Sequence, residues 1–159
     1  MTYSRATLVV LLLCAFVACS IAQQKVTIEG VWQAMSQKMD GKDVLMSGKD
    51  MKVITAKHFV FIYQDKGKCL SVLAKKTQRD SIAAYFDMFG AGGGTYKLAG
   101  NTYTETIDYF SDPSYVGLSI SFTVKVEGDK LYQSGKYPIL EGGKKVKDVQ
   151  LDEVYKRIE

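Results

Sequence analysis

Between Leu118 and Glu127 the chain alternates without a break. Leu118, Ile120, Phe122, Val124 and Val126 fall on one face, and Ser119, Ser121, Thr123, Lys125 and Glu127 on the other. A period of two sustained over this length is that of a strand with one face in a core and the other in water. Gly128-Asp129 follows, and because Gly supplies the positive φ of a primed turn, Lys130 to Tyr137 returns antiparallel. Upstream, Thr95 to Leu98 and Thr102 to Phe110 are two further runs joined by Ala99-Gly100-Asn101. Ser111-Asp112-Pro113-Ser114 then turns the second into the alternating strand, with Pro113 where a φ near −65° suits it. Thr95 to Tyr137 therefore reads as an antiparallel meander of four strands.

The flanking sequence extends the same pattern. Lys25 to Gln37 carries Val26, Ile28, Val31 and the only tryptophan, Trp32. Gly30-Val31-Trp32 reads as a tight start followed by a large plug, since a Trp buries on the order of 200 Å² and would close one end of a barrel. Gly41 to Lys49 reads as a loop, Met51 to Thr55 and Phe59 to Tyr63 as strands, and Gln64 to Lys68 as a turn. Cys69 to Ala74 is another apolar run, and Lys75 to Asp80 is charged and solvated. Ser81 to Phe89 suits a short amphipathic helix as well as a strand. Gly90-Ala91-Gly92-Gly93-Gly94 reads as a hinge or mobile loop at a barrel mouth. Pro138 to Lys147 reads as a basic loop, and Val149 to Ile158 as a last strand with Leu151, Val154 and Ile158 among charges. The expected fold is all-β: a single antiparallel up-and-down β-barrel of eight to ten strands with at most one short helix, closed because closure removes exposed sheet edges.

At 159 residues the chain makes one domain, 23–159, behind a segment that is not part of it. Residues 1–22 have a lone Arg5, an apolar run from Ala6 to Val17 and a small-x-small end at Ser20-Ile21-Ala22, the pattern of a secretory signal peptide. That run is too short for a transmembrane span. The alternative is a bacterial lipoprotein box at Phe16-Val17-Ala18-Cys19, with Cys19 lipidated and the protein membrane-anchored. Otherwise the protein is expected to be secreted. Removing residues 1–22 takes Arg5 and no acid, so 20 basic residues face 17 acidic ones, a net charge near +3 that demands no polyanionic partner. Cys69 is then the one thiol left, which excludes an internal disulfide. It is either a buried apolar residue or a point of self-association.

Catalytic motifs are missing. One His, His58, with no Gly-x-Ser-x-Gly elbow, does not make a serine triad, and one His with one Cys does not assemble a usual zinc site. The glycine run lacks the Gly-Lys-Ser/Thr of a phosphate loop, and Thr95 stands where the last Gly of Gly-x-Gly-x-x-Gly belongs. The basic clusters Lys75-Lys76 with Arg79, and Lys144-Lys145 with Lys147, have no interleaved aromatic residues, so nucleic acid is not an expected partner. Neither a metal, a cofactor nor an enzymatic activity is expected. Glu105 is the most informative residue. Tyr103, Glu105, Ile107 and Tyr109 share the more apolar face of their strand, so Glu105 points inward and needs a Tyr hydroxyl, an Arg or Lys, or a ligand head as partner. By the same alternation Gln133 shares a face with Leu131 and Tyr137, and His58 is a third candidate polar group for the interior.

Gly30-Val31-Trp32 and Leu151-Asp-Glu-Val-Tyr-Lys-Arg157 resemble the two ends of a lipocalin-type barrel, in which an Arg of the last strand lies over the Trp of the first. Gly92 to Tyr96, Tyr103 to Ile107 and Ser111 to Ser114 resemble a lipocalin-like domain of unknown function found in small secreted bacterial proteins. The resemblance covers Gly30 to Arg157 and is weakest between Gly67 and Phe89. It implies a calycin-type barrel that binds small hydrophobic molecules, with Trp32 and Arg157 as its structural closure. The expectation is a barrel holding a small apolar or amphipathic molecule among Tyr103, Glu105, Tyr109, Gln133 and His58. The alternative is a solid barrel serving as a structural or interaction component of an extracellular matrix or cell surface.

Overall fold

The computed structural model describes residues 27–44, 49–64, 77–79, 82 and 88–159. Within them lie nine strands: β1 (Gly30–Met39), β2 (Lys42–Asp43), β3 (Lys49–Ile54), β4 (His58–Gln64), β5 (Phe89–Ala99), β6 (Thr102–Phe110), β7 (Ser119–Glu127), β8 (Lys130–Glu141) and β9 (Lys144–Arg157). Every pairing is antiparallel, β1 pairs with both β2 and β3, each strand from β3 to β9 lies beside its neighbour in the chain, and β9 pairs back onto β1 from Trp32↔Arg157 to Met39↔Leu151. Eight strands thus close an up-and-down barrel, and the two-residue β2 lies outside the ring against Lys38 and Met39.

Side-chain alternation fills the ring. Ile120, Phe122 and Val124 of β7 face inward with Tyr103 and Ile107 of β6, Leu131 of β8, and Leu151 and Tyr155 of β9. The tight turns follow the glycines: Gly100 (φ 61°) turns β5 into β6, and Gly128 (φ 59°) turns β7 into β8. Pro113 opens a single 3-10 turn whose first amide is capped by Asp112, and this turn carries Tyr115 into the core.

Three sequence expectations change. Gly90 to Gly94 is no hinge but the first half of β5, paired to β4 from His58↔Thr95 to Gln64↔Phe89. Its glycines make room for rings: a Cβ on Gly90 would lie 2.1 Å from the Tyr63 ring, and one on Gly92 would strike Phe61 and Phe110. Pro138 to Lys147 is not a loop either. β8 and β9 run on together to the turn at Gly142-Gly143, and Pro138 fits because β7 pairs with β8 only as far as Gly135, leaving that edge without a partner strand. Gly41 to Lys49 contains β2 and the start of β3. In the segment that suited helix or strand, Ile82 and Met88 are helical and Phe89 opens β5. Residues 1–22, Cys19 and Cys69 lie outside the described residues.

Candidate functional site in the barrel interior

Strand direction gives the barrel two unlike ends. Gly30 pairs with Ile54 and Trp32 with Arg157, so one end gathers the start of β1, the end of β9 and the short turns at Thr55–Lys57, Gly100-Asn101 and Gly128-Asp129. Trp32 is fully buried there, and its indole Nε1 donates to Ile28 O at 2.8 Å. The Arg157 guanidinium lies 4.1 Å from the indole centroid and donates to the carbonyls of Glu29 and Thr27. The cation–π contact contributes about 1 kcal/mol. The two backbone acceptors fix its geometry, and together they form a floor.

One layer above, the interior turns polar. Asp50, Lys52 and Ile54 share the inner face of β3, and Lys52 pairs in register with Trp32. Lys52 Nζ donates to Glu105 Oε1 at 2.7 Å and to Gln133 Oε1 at 3.0 Å. Gln133 Nε2 donates to Glu153 Oε2 at 2.8 Å, and Gln37 Nε2 to the other oxygen of Glu153 at 2.8 Å. Rings surround the ammonium: the centroids of Tyr103, Tyr155 and Phe59 stand 5.6, 5.7 and 5.8 Å from Nζ. Burial pulls the Lys52 ammonium toward neutrality, but Glu105, Glu153 and Asp50 more than offset it, so its pKa lies above its ordinary value and it stays charged. Burial raises Glu153, against Lys52 and the Gln37 hydrogen bond.

One buried polar atom stands apart from this network. Asp50 is only 7% exposed, and its Oδ1 has no hydrogen-bond partner. Burial first, then the Glu153 carboxylate, push the Asp50 carboxyl up to about 6, with Lys52 acting the other way. Tyr103 is fully buried, with its ring beside the Lys52 ammonium. Burial, then the charge of Glu105 and a hydrogen bond with that carboxylate, hold its pKa far above the phenol range, so the hydroxyl stays protonated.

Beyond Asp50 the interior is aromatic. Phe61 packs edge-on to Phe110, Phe110 edge-on to Tyr115, and Tyr115 stacks on Tyr137 with centroids 5.5 Å apart. Tyr115 Oη donates to Pro138 O at 3.0 Å, which ties the 3-10 turn to β8. Tyr63, opposite Asp50 in the β3–β4 register, reaches the rim and is partly exposed. Burial, then Asp50, raises its hydroxyl. The flat glycine backbone of β5 is what lets Tyr63 and Phe61 lie against the wall here.

Of the residues expected inside, the barrel brings Tyr103, Glu105 and Gln133 together around Lys52. The Glu105 partner is thus a lysine of the chain. Tyr109 and His58 are corrections. Gly93 pairs with Tyr109 but Gly94 with Ile107, so Asp108 is an extra residue, and this bulge turns Tyr109 outward, 51% exposed, and Phe110 inward. His58 begins β4 at the floor end, exposed, with its amide bonded to Thr55 Oγ1. Trp32 and Arg157 meet as the resemblance implied.

Sequence reasoning missed Lys52, Asp50 and Glu153. Lys52 and Asp50 sit two and four residues before the inward Ile54, and Glu153 sits two residues from both Leu151 and Tyr155. That spacing was the available signal. Among the described residues no group of His, Cys, Asp and Glu side chains is arranged to hold a metal ion, and no helix is long and apolar enough to cross a membrane. No family model matches the chain, and no curated protein matches its sequence.

Proposed function

We propose that this chain is a secreted, lipocalin-like barrel, released by removal of residues 1–22, that binds a small apolar or amphipathic molecule inside the half facing away from Trp32. The observation that carries the reading is a buried, unpartnered polar atom, Asp50 Oδ1, next to the aromatic half of the interior. Leaving such a group unsatisfied costs about 1–3 kcal/mol, which folding alone gives no reason to accept. An amphipathic molecule with its polar head at this layer and its apolar body among Phe61, Phe110, Tyr115 and Tyr137 would meet both the polar and the apolar surface. Tyr103, Glu105 and Gln133 keep the role expected of them as lining groups, with Asp50 added and Tyr109 and His58 withdrawn.

The test is titration of the full-length secreted protein with the neutral fluorophore N-phenylnaphthylamine. Saturable one-to-one uptake with enhanced emission is the expected result; unsaturable, weak emission would overturn the reading. Native mass spectrometry of the same sample reads the N-terminus and so separates cleavage after Ala22 from lipidation at Cys19.

A second reading is favoured by one observation: Glu105, Gln133 and Glu153 find their partners within the chain. A barrel satisfied by its own side chains suits a structural or interaction component of a matrix or cell surface, with Cys69 as a point of self-association. Failure of fluorophore uptake together with a Cys69-linked dimer on a non-reducing gel would select it.

A further inference from the structure

We infer that the molecule held in this barrel is a cation: an aromatic or arylalkyl amine whose protonated nitrogen docks on Asp50 against the rings of the half facing away from Trp32. The inference rests on the ligand-binding reading above and adds to it the charge and chemical class of the head group.

Charge comes first. Among the described residues the buried charged side chains are one lysine, Lys52, and three carboxylates, Asp50, Glu105 and Glu153. Lys52 donates to Glu105, while Glu153 receives two amide donors, from Gln37 and Gln133. Asp50 is the member of the three with a buried oxygen that no donor reaches. An acidic ligand would add like charge to this surplus. A neutral hydroxyl would give Asp50 a hydrogen bond and leave the surplus in place. An ammonium answers both needs, through a charge-assisted bond in a medium where such bonds are strong.

Geometry makes the same choice. The barrel already holds one ammonium in its interior, and it does so with a carboxylate at 2.7 Å and three aromatic rings within 5.8 Å. Asp50 lies two residues along β3 from Lys52, about 7 Å further from the floor by strand rise. Beside it stands Tyr63, opposite Asp50 in register and acted on by its charge, and Tyr63 leads on to Tyr115 and Tyr137, which stack on each other. A second cation in this layer would therefore meet the same chemistry as the first, a carboxylate and ring faces. The aromatic body of the ligand would then continue onto Phe61 and Phe110.

Protonation of Asp50 should weaken the interaction. The charged or titratable groups that face it are Lys52 from its own strand, Tyr63 from β4, and Glu153 and Tyr155 from β9. With the Asp50 carboxyl held up to about 6, amine affinity should fall as pH drops through that value.

The experiment uses three indoles alike in ring and near-equal in chain, differing in head group: tryptamine, tryptophol and indoleacetate. Calorimetric titration of the full-length protein at neutral pH should give tryptamine at least about tenfold tighter than tryptophol, with indoleacetate weakest. In Asp50→Asn, the advantage of tryptamine over tryptophol should be lost. Thermal unfolding of the variant, expected to shift upward, shows that the loss is not misfolding. Tryptophol or indoleacetate binding as tightly as tryptamine, no binding of tryptamine, or a preference that survives Asp50→Asn would each overturn the inference. Continued uptake of N-phenylnaphthylamine in those cases leaves the ligand-binding reading standing; its absence from the wild-type protein removes both.

Discussion

The two halves of the barrel interior solve the same problem differently. Near the floor, the buried Trp32 indole donates to Ile28 O, the Arg157 guanidinium over it donates to two carbonyls, and Lys52, Glu105, Gln133, Glu153 and Gln37 form one connected set. In the other half Asp50 is as well buried as that set and has an oxygen with no donor, beside rings that supply none. The first half is built as a stable interior would be, and the second departs from it at one carboxylate. Such a departure, beside aromatic side chains, is the feature on which the proposed binding role rests.

Breaking the satisfied half should cost the most. Lys52→Met leaves Glu105 buried without its counter-charge and should lose about 3–5 kcal/mol in urea unfolding, while Lys52→Met with Glu105→Leu should recover much of that loss. Full recovery in the single variant would mean that the pair contributes nothing. Asp50 predicts the opposite sign. Its carboxyl holds a proton more tightly folded (about 6) than at its ordinary 3.8, so the folded state binds more protons between those values and stability falls as pH rises through them. Asp50→Asn should therefore stabilise the protein at neutral pH, by up to about 3 kcal/mol, with the gain shrinking as pH falls toward 4. A destabilised Asp50→Asn would place Asp50 with the structural set and erase the contrast between the halves.

Smaller effects sharpen the boundary. Arg157→Lys keeps the charge but loses the planar fork that bonds two carbonyls over the indole, and should cost about 1 kcal/mol. Tyr109→Ala, at a side chain that the Asp108 bulge turns outward, should change stability by less than about 0.5 kcal/mol. A loss of several kcal/mol there would show that Tyr109 packs inside after all.

The parts of the fold that were legible share one physical basis. Ser119 to Glu127, Lys130 to Tyr137 and the glycine turns are governed by local periodicity and φ, which a sequence displays directly. Glu105 and Gln133 were placed inside by that same alternation. Tyr109 was misplaced because a bulge is one residue of misfit between two strands, invisible in either alone. Gly90 to Gly94 has the composition of a loop, yet its glycines answer to Tyr63, Phe61 and Phe110, rings from other strands. In Asp50-Met51-Lys52-Val53-Ile54 the polar residues occupy the inward phase and Met51 and Val53 the half-buried outer one, so the usual hydrophobic rule points the wrong way there. Glu153 was hidden differently, as one carboxylate among the charges of β9 between the inward Leu151 and Tyr155.

Among the described strands, β1 with β9 is the pairing that joins the beginning of the barrel to its end; the others link chain neighbours, with β1 also paired to β3 across the short β2. The meander can therefore assemble from local hairpins, and ring closure must bring together residues more than a hundred positions apart, the slow, entropically costly step. If that seam zips after the rate-limiting barrier, weakening it at Arg157 should leave refolding nearly unchanged and accelerate opening, so stopped-flow denaturant jumps should find the lost stability in the unfolding limb. Slowed refolding in Arg157→Lys would instead put the seam in the folding nucleus.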